Sequence, residues 1–219
     1  MNLGVFDIVG PVMIGPSSSH TAGAVRIGKV ARKIAKNDIK SVVFYLHGSF
    51  AKTYKGHGTD KALLAGILGM DEKDERLREA FKYANEYGVD YEYVESDLGD
   101  VHSNTVKVEI TTSCDKKVVV IACSIGGGNI KVININGIKV DFTGDYPTII
   151  INHIDNKGVI AKLTNLLYEE NVNIAFMSVY RENKGDKAYM VIELDEYIDE
   201  RIIDLVKSEI KDIKEVTII

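Results

Sequence analysis

From Pro147 onward the chain switches repeatedly between two hydrophobic periods, and this limits the folds open to it more than any other feature. "TIIINHI" is a run of β-branched residues suited to a strand. "GVIAKLTNLLYEEN" places Val159, Ile160, Leu163, Leu166 and Leu167 on one face of a helix. "VNIAFMSVYRE" and "KAYMVIEL" read as strands joined through "NKGD". "IDERIIDLVKSEI" puts Ile198, Ile202, Leu205, Val206 and Ile210 on one side of a second helix, and "IKEVTII" closes the chain as a strand. The resulting order, βαββαβ, is the ferredoxin-like arrangement. A unit of about 70 residues buries only a small core, so it is expected to gain stability by docking or dimerising.

The residues before Pro147 mix the same periods less regularly. "MNLGVFDIVGPVMI" reads as a short leader with a strand or turn, and "AGAVRIGKVARKIAKN" as an amphipathic helix. "SVVFYLHGS" reads as a buried strand. In "GHGTDKALLAGILGM", Thr59 or Asp60 can cap a helix that Gly66 and Gly69 keep short. "DERLREAFKYANEYG" is a further helix, followed by strands at "VDYEYVES", "TVKVEITT" and "KKVVVIACS". A hairpin turning at Asn136-Gly137 comes last. The expectation is an α+β protein with domains at residues 1–146 and 147–219.

Composition excludes several classes. The 219 residues carry a formal charge of -5 with acids and bases interspersed, and no basic stripe suggests nucleic acid. No apolar run approaches the roughly 20 residues of a bilayer span, and no secretory leader is evident, so a cytoplasmic location with no membrane is expected. The two cysteines, Cys114 and Cys123, are expected to be two buried thiols rather than a disulfide. Two thiols fall short of the three or four that a protein-held [4Fe-4S] cluster normally takes. The five histidines form no close metal motif, so no metal site is assigned to this chain.

Chemistry-bearing residues gather on connections. Ser17, Ser18, Ser19 and Thr21 surround His20 just before a helix. One hydroxyl satisfies a helix cap; the surplus hydroxyls and amides suit either further capping or a small anion. His20 is open to a loop, core or acid–base role. In "KTYKGHGTD", Gly56 and Gly58 bracket His57. Thr53, Lys55 and His57 suit a carboxylate, and the bland alternative is a glycine-rich strand-to-helix connection. "VHSNTVKVE" brings His102 to the start of a strand, and "CSIGGGNI" puts three glycines just past another. No helix follows those glycines, which disfavours a dinucleotide site.

Together these segments resemble the beta component of iron–sulfur-dependent L-serine dehydratases (L-serine ammonia-lyases). "FDIVGPVMIGPSSSHTAGAVRIG", "LHGSFAKTYKGHGTDKALLAGILGM", "VHSNTVKVEI" and "SIGGGNI" are similar to that family's successive motifs. The third often reads His-Pro-Asn-Thr; here Ser103 replaces the proline. The resemblance implies an allosteric substrate-binding-like domain followed by an ACT domain. It further implies that L-serine is deaminated to pyruvate and ammonia by β-elimination, and that a separate cysteine-bearing alpha subunit holds a [4Fe-4S] cluster. His20 and His57 are then the candidate catalytic residues, contributing to the partner subunit's site as acid–base groups, as groups that order it or as carboxylate ligands. Ser17, Ser18, Ser19, Thr59 and His102 are the candidate substrate-binding residues.

The ACT resemblance extends to phosphoglycerate dehydrogenase, which binds serine between paired ACT domains. The matching effector positions are His153, Asp155 and Asn173, with Gly158 opening the helix. Asp155 stands where that relative has asparagine, and Lys157 where it has proline. A homo-contact through this domain is expected. The rival reading is a non-catalytic, amino-acid-binding ACT regulatory protein.

Overall fold

The computed structural model describes residues 13–36, 38–181 and 183–219. The leader expected in "MNLGVFDIVGPVMI" lies, through residue 12, outside the described residues. The chain forms two compact units, Met1–Gly137 and Ile138–Ile219. Each combines helices with a sheet, as an α+β protein should.

In the first unit a single π-helical turn, Ser18–Ala22, leads into α1 (Gly23–Ala35). Then come β1 (Ile39–Leu46), α2 (Gly48–His57), α3 (Thr59–Ile67), a 3-10 turn at Glu75–Glu79 and α4 (Ala80–Glu86). Strands β2 (Asp90–Glu95), β3 (Thr105–Thr112), β4 (Lys117–Gly126) and β5 (Asn129–Ile135) complete it. The strand order is β2-β1-β3-β4-β5; β1 and β2 run parallel, and the other pairs are antiparallel. Val106, Val108 and Ile110 of β3 point inward, leaving Lys107 and Glu109 outward, the period-two pattern of a half-buried strand. Gly126, Gly127 and Gly128 turn β4 into β5 with φ of 103, 62 and 85°. Only glycine adopts such a succession without strain.

Helices α1 and α3 fix the geometry of this unit. Thr21 contacts His57, Gly28 meets Leu63 and Gly66, and Arg32 donates to the Ile67 carbonyl. The two helices therefore run side by side in the same direction, with both N-termini at one end. At the crossing they touch through backbone. A Cβ on Gly28 would stand 2.4 Å from the Leu63 carbonyl oxygen, and one on Gly66 would stand 2.2 Å from that of Val25.

One expectation fails here. The segment before Gly58 is a helix, α2, rather than a connection. Gly56 costs that helix about 1 kcal/mol against alanine, but its ends compensate. Gly48 at φ 56° starts it against Ser103, and Gly58 at φ 68° stops it by donating to the Tyr54 carbonyl. Gly58 is also the residue from which α3 departs, so the cap foreseen at Thr59 or Asp60 moves back to a glycine.

The second unit begins with β6 (Ile138–Phe142) and continues as β7 (Thr148–Ile154), α5 (Val159–Glu169), β8 (Ile174–Arg181), β9 (Lys187–Leu194), α6 (Arg201–Glu209) and β10 (Ile213–Ile218). The last four strands form an antiparallel sheet ordered β10-β7-β9-β8. Leu163 and Leu167 of α5 and Val206 of α6 pack with Ile151, Met190 and Ile192 of the sheet, all fully buried. Each such side chain stabilises by roughly 2 kcal/mol. Ile198 lies ahead of α6 rather than within it.

The cysteine expectation is half corrected. No disulfide joins the two thiols, and Cys123 is buried in β4, but Cys114 is exposed. Cys114 sits where the chain turns between β3 and β4, bonded to Thr112 Oγ1 at 3.1 Å.

Candidate active site

The parallel course of α1 and α3 brings two histidines together. His20 lies in the π-helical turn ahead of α1, a local widening often found where a side chain is aimed for function. Ser17 caps this turn: its Oγ accepts from the His20 backbone N–H at 3.2 Å and lies 3.4 Å from His20 Nδ1. His20 Nε2 meets Ser49 Oγ at 3.1 Å. The ring stands edge-on to buried Phe50, with centroids 5.2 Å apart. Its other neighbour is the His57 ring, 4.8 Å away. Burial first, and then the nearness of His57, holds the His20 pKa below its usual 6.5. The ring therefore stays neutral, and able to accept a proton, at neutral pH.

His57 ends α2. Its backbone carbonyl accepts from Thr21 Oγ1 at 3.4 Å, and its Nδ1 is buried without a hydrogen-bond partner among the described residues. Thr59 Oγ1, in a side chain with no exposure, is likewise unpartnered. An unmatched buried polar atom costs about 1–3 kcal/mol. Ser18 and Ser19 lie half-buried on the turn, and the Ser18 carbonyl accepts from Gly23.

The remaining motifs dock onto this end. The Ser103 carbonyl accepts from Ser49 N–H at 2.7 Å. His102 itself is exposed, and its Nδ1 accepts from Asn104 N–H at 3.1 Å. Ser124 of β4 donates its N–H to the Asn104 carbonyl at 3.0 Å, and its side chain lies against Gly23. Arg26 of α1 donates to the Gly128 carbonyl at 3.1 Å. Asn104 Oδ1 and Ser124 Oγ are two more buried, unpartnered oxygens among the described residues. Ser49, Asn104 and Ser124 fall inside the quoted motifs without being singled out as site residues, since their significance lies in contacts distant along the chain.

A cleft of about 310 Å³ opens beside His57, lined by Gly15, Thr21, Gly56, His57 and Gly58 together with Lys55, Lys61 and Arg78, and His20 does not reach its wall. The charged side chains on its wall are all cationic or histidine, so it suits an anion such as a carboxylate. Asp60, next in sequence to Lys61 of the wall, has its pKa raised by burial.

The candidate effector residues of the second unit are not assembled in this way. Asp155 already accepts from Arg181 Nη1 at 2.6 Å and from Gly185 N–H at 3.3 Å, and the Arg181 contact lowers its pKa. Asn173 donates to Asp195 at 2.5 Å. His153 is buried; its Nδ1 contacts the Ile154 carbonyl at 2.8 Å, and its Nε2 has no partner among the described residues.

The donor set of this chain does not fit an iron–sulfur cluster. Cys123 is buried within a strand, Cys114 is bonded at a turn, and no third thiol exists. Among the described residues no group of three or more His, Cys, Asp or Glu side chains converges to hold a metal ion. No described helix is long and apolar enough to cross a membrane.

Two histidines thus meet where α1 and α3 begin, one in a serine-rich turn and the other bracketed by glycines. Residues 4–90 match the family described as serine dehydratase beta chain. The chain is 45% identical over 202 residues to the probable L-serine dehydratase, beta chain, of Bacillus subtilis (strain 168), covering 91% of this chain and 90% of that one. It is 41% identical over 198 residues to the L-serine dehydratase, beta chain, of Peptoniphilus asaccharolyticus, covering 90% and 89%. A more distant likeness, 30% over 185 residues, links 82% of it to 34% of the D-3-phosphoglycerate dehydrogenase of Bacillus subtilis (strain 168). The chain belongs to the serine dehydratase beta-chain family.

Proposed function

We propose that this chain is the beta subunit of a two-component L-serine ammonia-lyase of the cytoplasm, which converts L-serine to pyruvate and ammonia. The observation that carries the reading is the His20–His57 pair, 4.8 Å apart, with His57 on the wall of a cationic cleft. The substrate carboxylate lies against Lys55, Lys61 and Arg78. A neutral imidazole of the pair takes the α-proton, the Cβ–O bond breaks, and the departing hydroxyl takes up that proton from the imidazolium to leave as water, with 2-aminoacrylate as the product. That product tautomerises to 2-iminopropionate and hydrolyses to pyruvate and ammonia. General-base catalysis of this kind contributes about 10²–10⁴-fold. Ser17, Ser18, Ser19 and Thr59 are assigned as substrate-side hydroxyls, with Ser17 Oγ 3.4 Å from His20 Nδ1 in support, and His102 is assigned to the same site.

The cofactor is a [4Fe-4S] cluster on a cysteine-bearing alpha subunit, and no atom of this chain binds it. Residues 1–146 form the beta-chain domain and residues 147–219 an ACT domain that meets a second copy of itself. Strand β8, at the edge of its sheet with Phe176 57% exposed, supports that homo-contact. An amino-acid effector at His153, Asp155 and Asn173 would replace Arg181 and Asp195 as their partners.

Co-expression with the cysteine-bearing subunit, purification without oxygen and assay for pyruvate from L-serine test the reading. Activity is expected in the complex, and neither iron nor activity in this chain alone. A stoichiometric cluster in the isolated chain, or an inactive complex that holds its cluster, refutes it.

A further inference from the structure

His20 is tied to the remainder of the fold by few contacts. Ser17 belongs to the same turn and moves with it, and Phe50 and His57 offer ring edges rather than hydrogen bonds. Among the described residues, the hydrogen bond from the ring to another element is the one to Ser49, at 3.1 Å. Ser49 is itself held at both ends of its peptide unit. Its N–H donates to Ser103 at 2.7 Å, and its carbonyl accepts from Thr53 Oγ1 at 2.8 Å. Gly48 allows this approach, since a Cβ there would stand 2.6 Å from the Ser103 oxygen and its φ is 56°.

The turn that supplies Ser103 is equally constrained. His102 Nδ1 accepts from Asn104 N–H at 3.1 Å, the His102 carbonyl accepts from Thr105 Oγ1 at 2.6 Å, and the Thr105 carbonyl accepts from His47 N–H at 3.0 Å. A continuous line of bonds thus runs from the His102–Thr105 turn through Ser49 to the imidazole.

We infer that Ser49 is the positioning residue for His20, and that the His102–Thr105 turn acts on that histidine through Ser49 rather than on the substrate. The inference rests on the acid–base role proposed for His20. A hydroxyl suits the task because it is both donor and acceptor. It accepts from Nε2 when that nitrogen carries hydrogen and donates to it when it does not. The ring therefore keeps its place while a proton moves on or off. A backbone carbonyl would accept only, and would fix one tautomer.

The first test needs no partner subunit. In the full chain carrying ¹⁵N-labelled histidine, with the His20 signals assigned by their loss in His20→Asn, Ser49→Ala is expected to move the ring-nitrogen resonances of His20. Its titration should rise toward the ordinary histidine value as water reaches the loosened ring. Ser49→Thr, which restores the hydroxyl, should return both toward wild type. His20 resonances unchanged in Ser49→Ala overturn the inference. In the assembled complex Ser49→Ala should lower kcat by about 10–10²-fold with little change in KM, and His102→Ala should lower kcat less. A loss confined to KM in either variant overturns it, since that marks substrate contact. If the resonances move while turnover stays whole, Ser49 positions the ring as inferred, and it is the catalytic reading of His20 that fails.

Discussion

The first unit leaves polar atoms unmatched where its motifs meet; the second satisfies most of its candidate residues internally. His57 Nδ1, Thr59 Oγ1, Asn104 Oδ1 and Ser124 Oγ lack partners among the described residues. In the second unit Asp155 holds Arg181 and Asn173 holds Asp195, while Asn152 Oδ1 and His153 Nε2 are buried without partners among the described residues. Unmatched buried groups are costly, so a fold that keeps several in one region has a use for them there. A region whose polar groups already pair must break those pairs before it can bind anything. The contrast separates a site shaped for a ligand from one in which a ligand would compete with the protein's own side chains.

The largest expected effect lies at the histidine pair. In the assembled enzyme His20→Ala and His57→Ala should each cut kcat by about 10²-fold or more while the melting temperature of this chain changes little. Turnover and melts measured on the same preparations decide it. Melting losses with full activity per folded complex would dissolve the contrast.

Next comes stability at the helix crossing. Gly66→Ala places a Cβ 2.2 Å from the Val25 carbonyl oxygen, so α1 and α3 must separate. Denaturant unfolding should show a loss of roughly 3 kcal/mol, and activity should fall with it, since both histidines depend on this crossing. Gly56→Ala has nothing within 4 Å to meet and lies inside α2, so it serves as the benign control.

A smaller effect is read from pH. The lowered His20 pKa means that the neutral ring persists below pH 6.5, its ordinary value. The acid limb of kcat/KM should therefore fall below that value. The same shift means that protonation favours the unfolded chain. The contribution of His20 to stability is then full above its ordinary value and is lost as pH falls from there through its folded value. His20→Asn should remove this dependence from the melts.

The smallest effect belongs to the second unit. Arg181→Ala should return the Asp155 carboxyl toward its ordinary pKa of 3.8, which carboxyl NMR can follow. A depressed carboxyl stabilises above its unfolded pKa and loses that contribution as pH falls through the folded one. Wild type and variant should therefore converge at low pH. Asp155→Asn should leave serine turnover in the complex unchanged; a large change would bring the second unit nearer the first.

Periodicity alone makes the alternating strands and the faces of α1 and α5 legible, because burial on one side of an element repeats locally along the chain. It misses α2. The glycines of that helix lower its propensity, and what secures it, the Gly48 approach to Ser103, comes from a residue far along the chain. The same limit governs the site. The residues around His20 and His57 stand out by type and spacing, but nothing in the sequence puts their rings 4.8 Å apart. Ser49, Asn104 and Ser124 lie within the motifs, but only tertiary contacts set them apart from their neighbours there. The exposure of Cys114 is hidden because thiols are usually buried, and a turn between strands is a place where that rule fails.

The backbone contact between α1 and α3 has an evolutionary consequence. Where helices meet through side chains, each exchange of a leucine for a methionine or valine shifts their spacing by a fraction of an ångström, and whatever they carry shifts too. At Gly28 and Gly66 no side chain lies between them to be exchanged. The spacing is set by peptide atoms, which are the same in every protein. The surrounding core is thus free to drift through many apolar sequences while the two histidines keep their separation. Divergence among relatives should accumulate around this crossing with little loss of activity until one of the glycines itself is replaced.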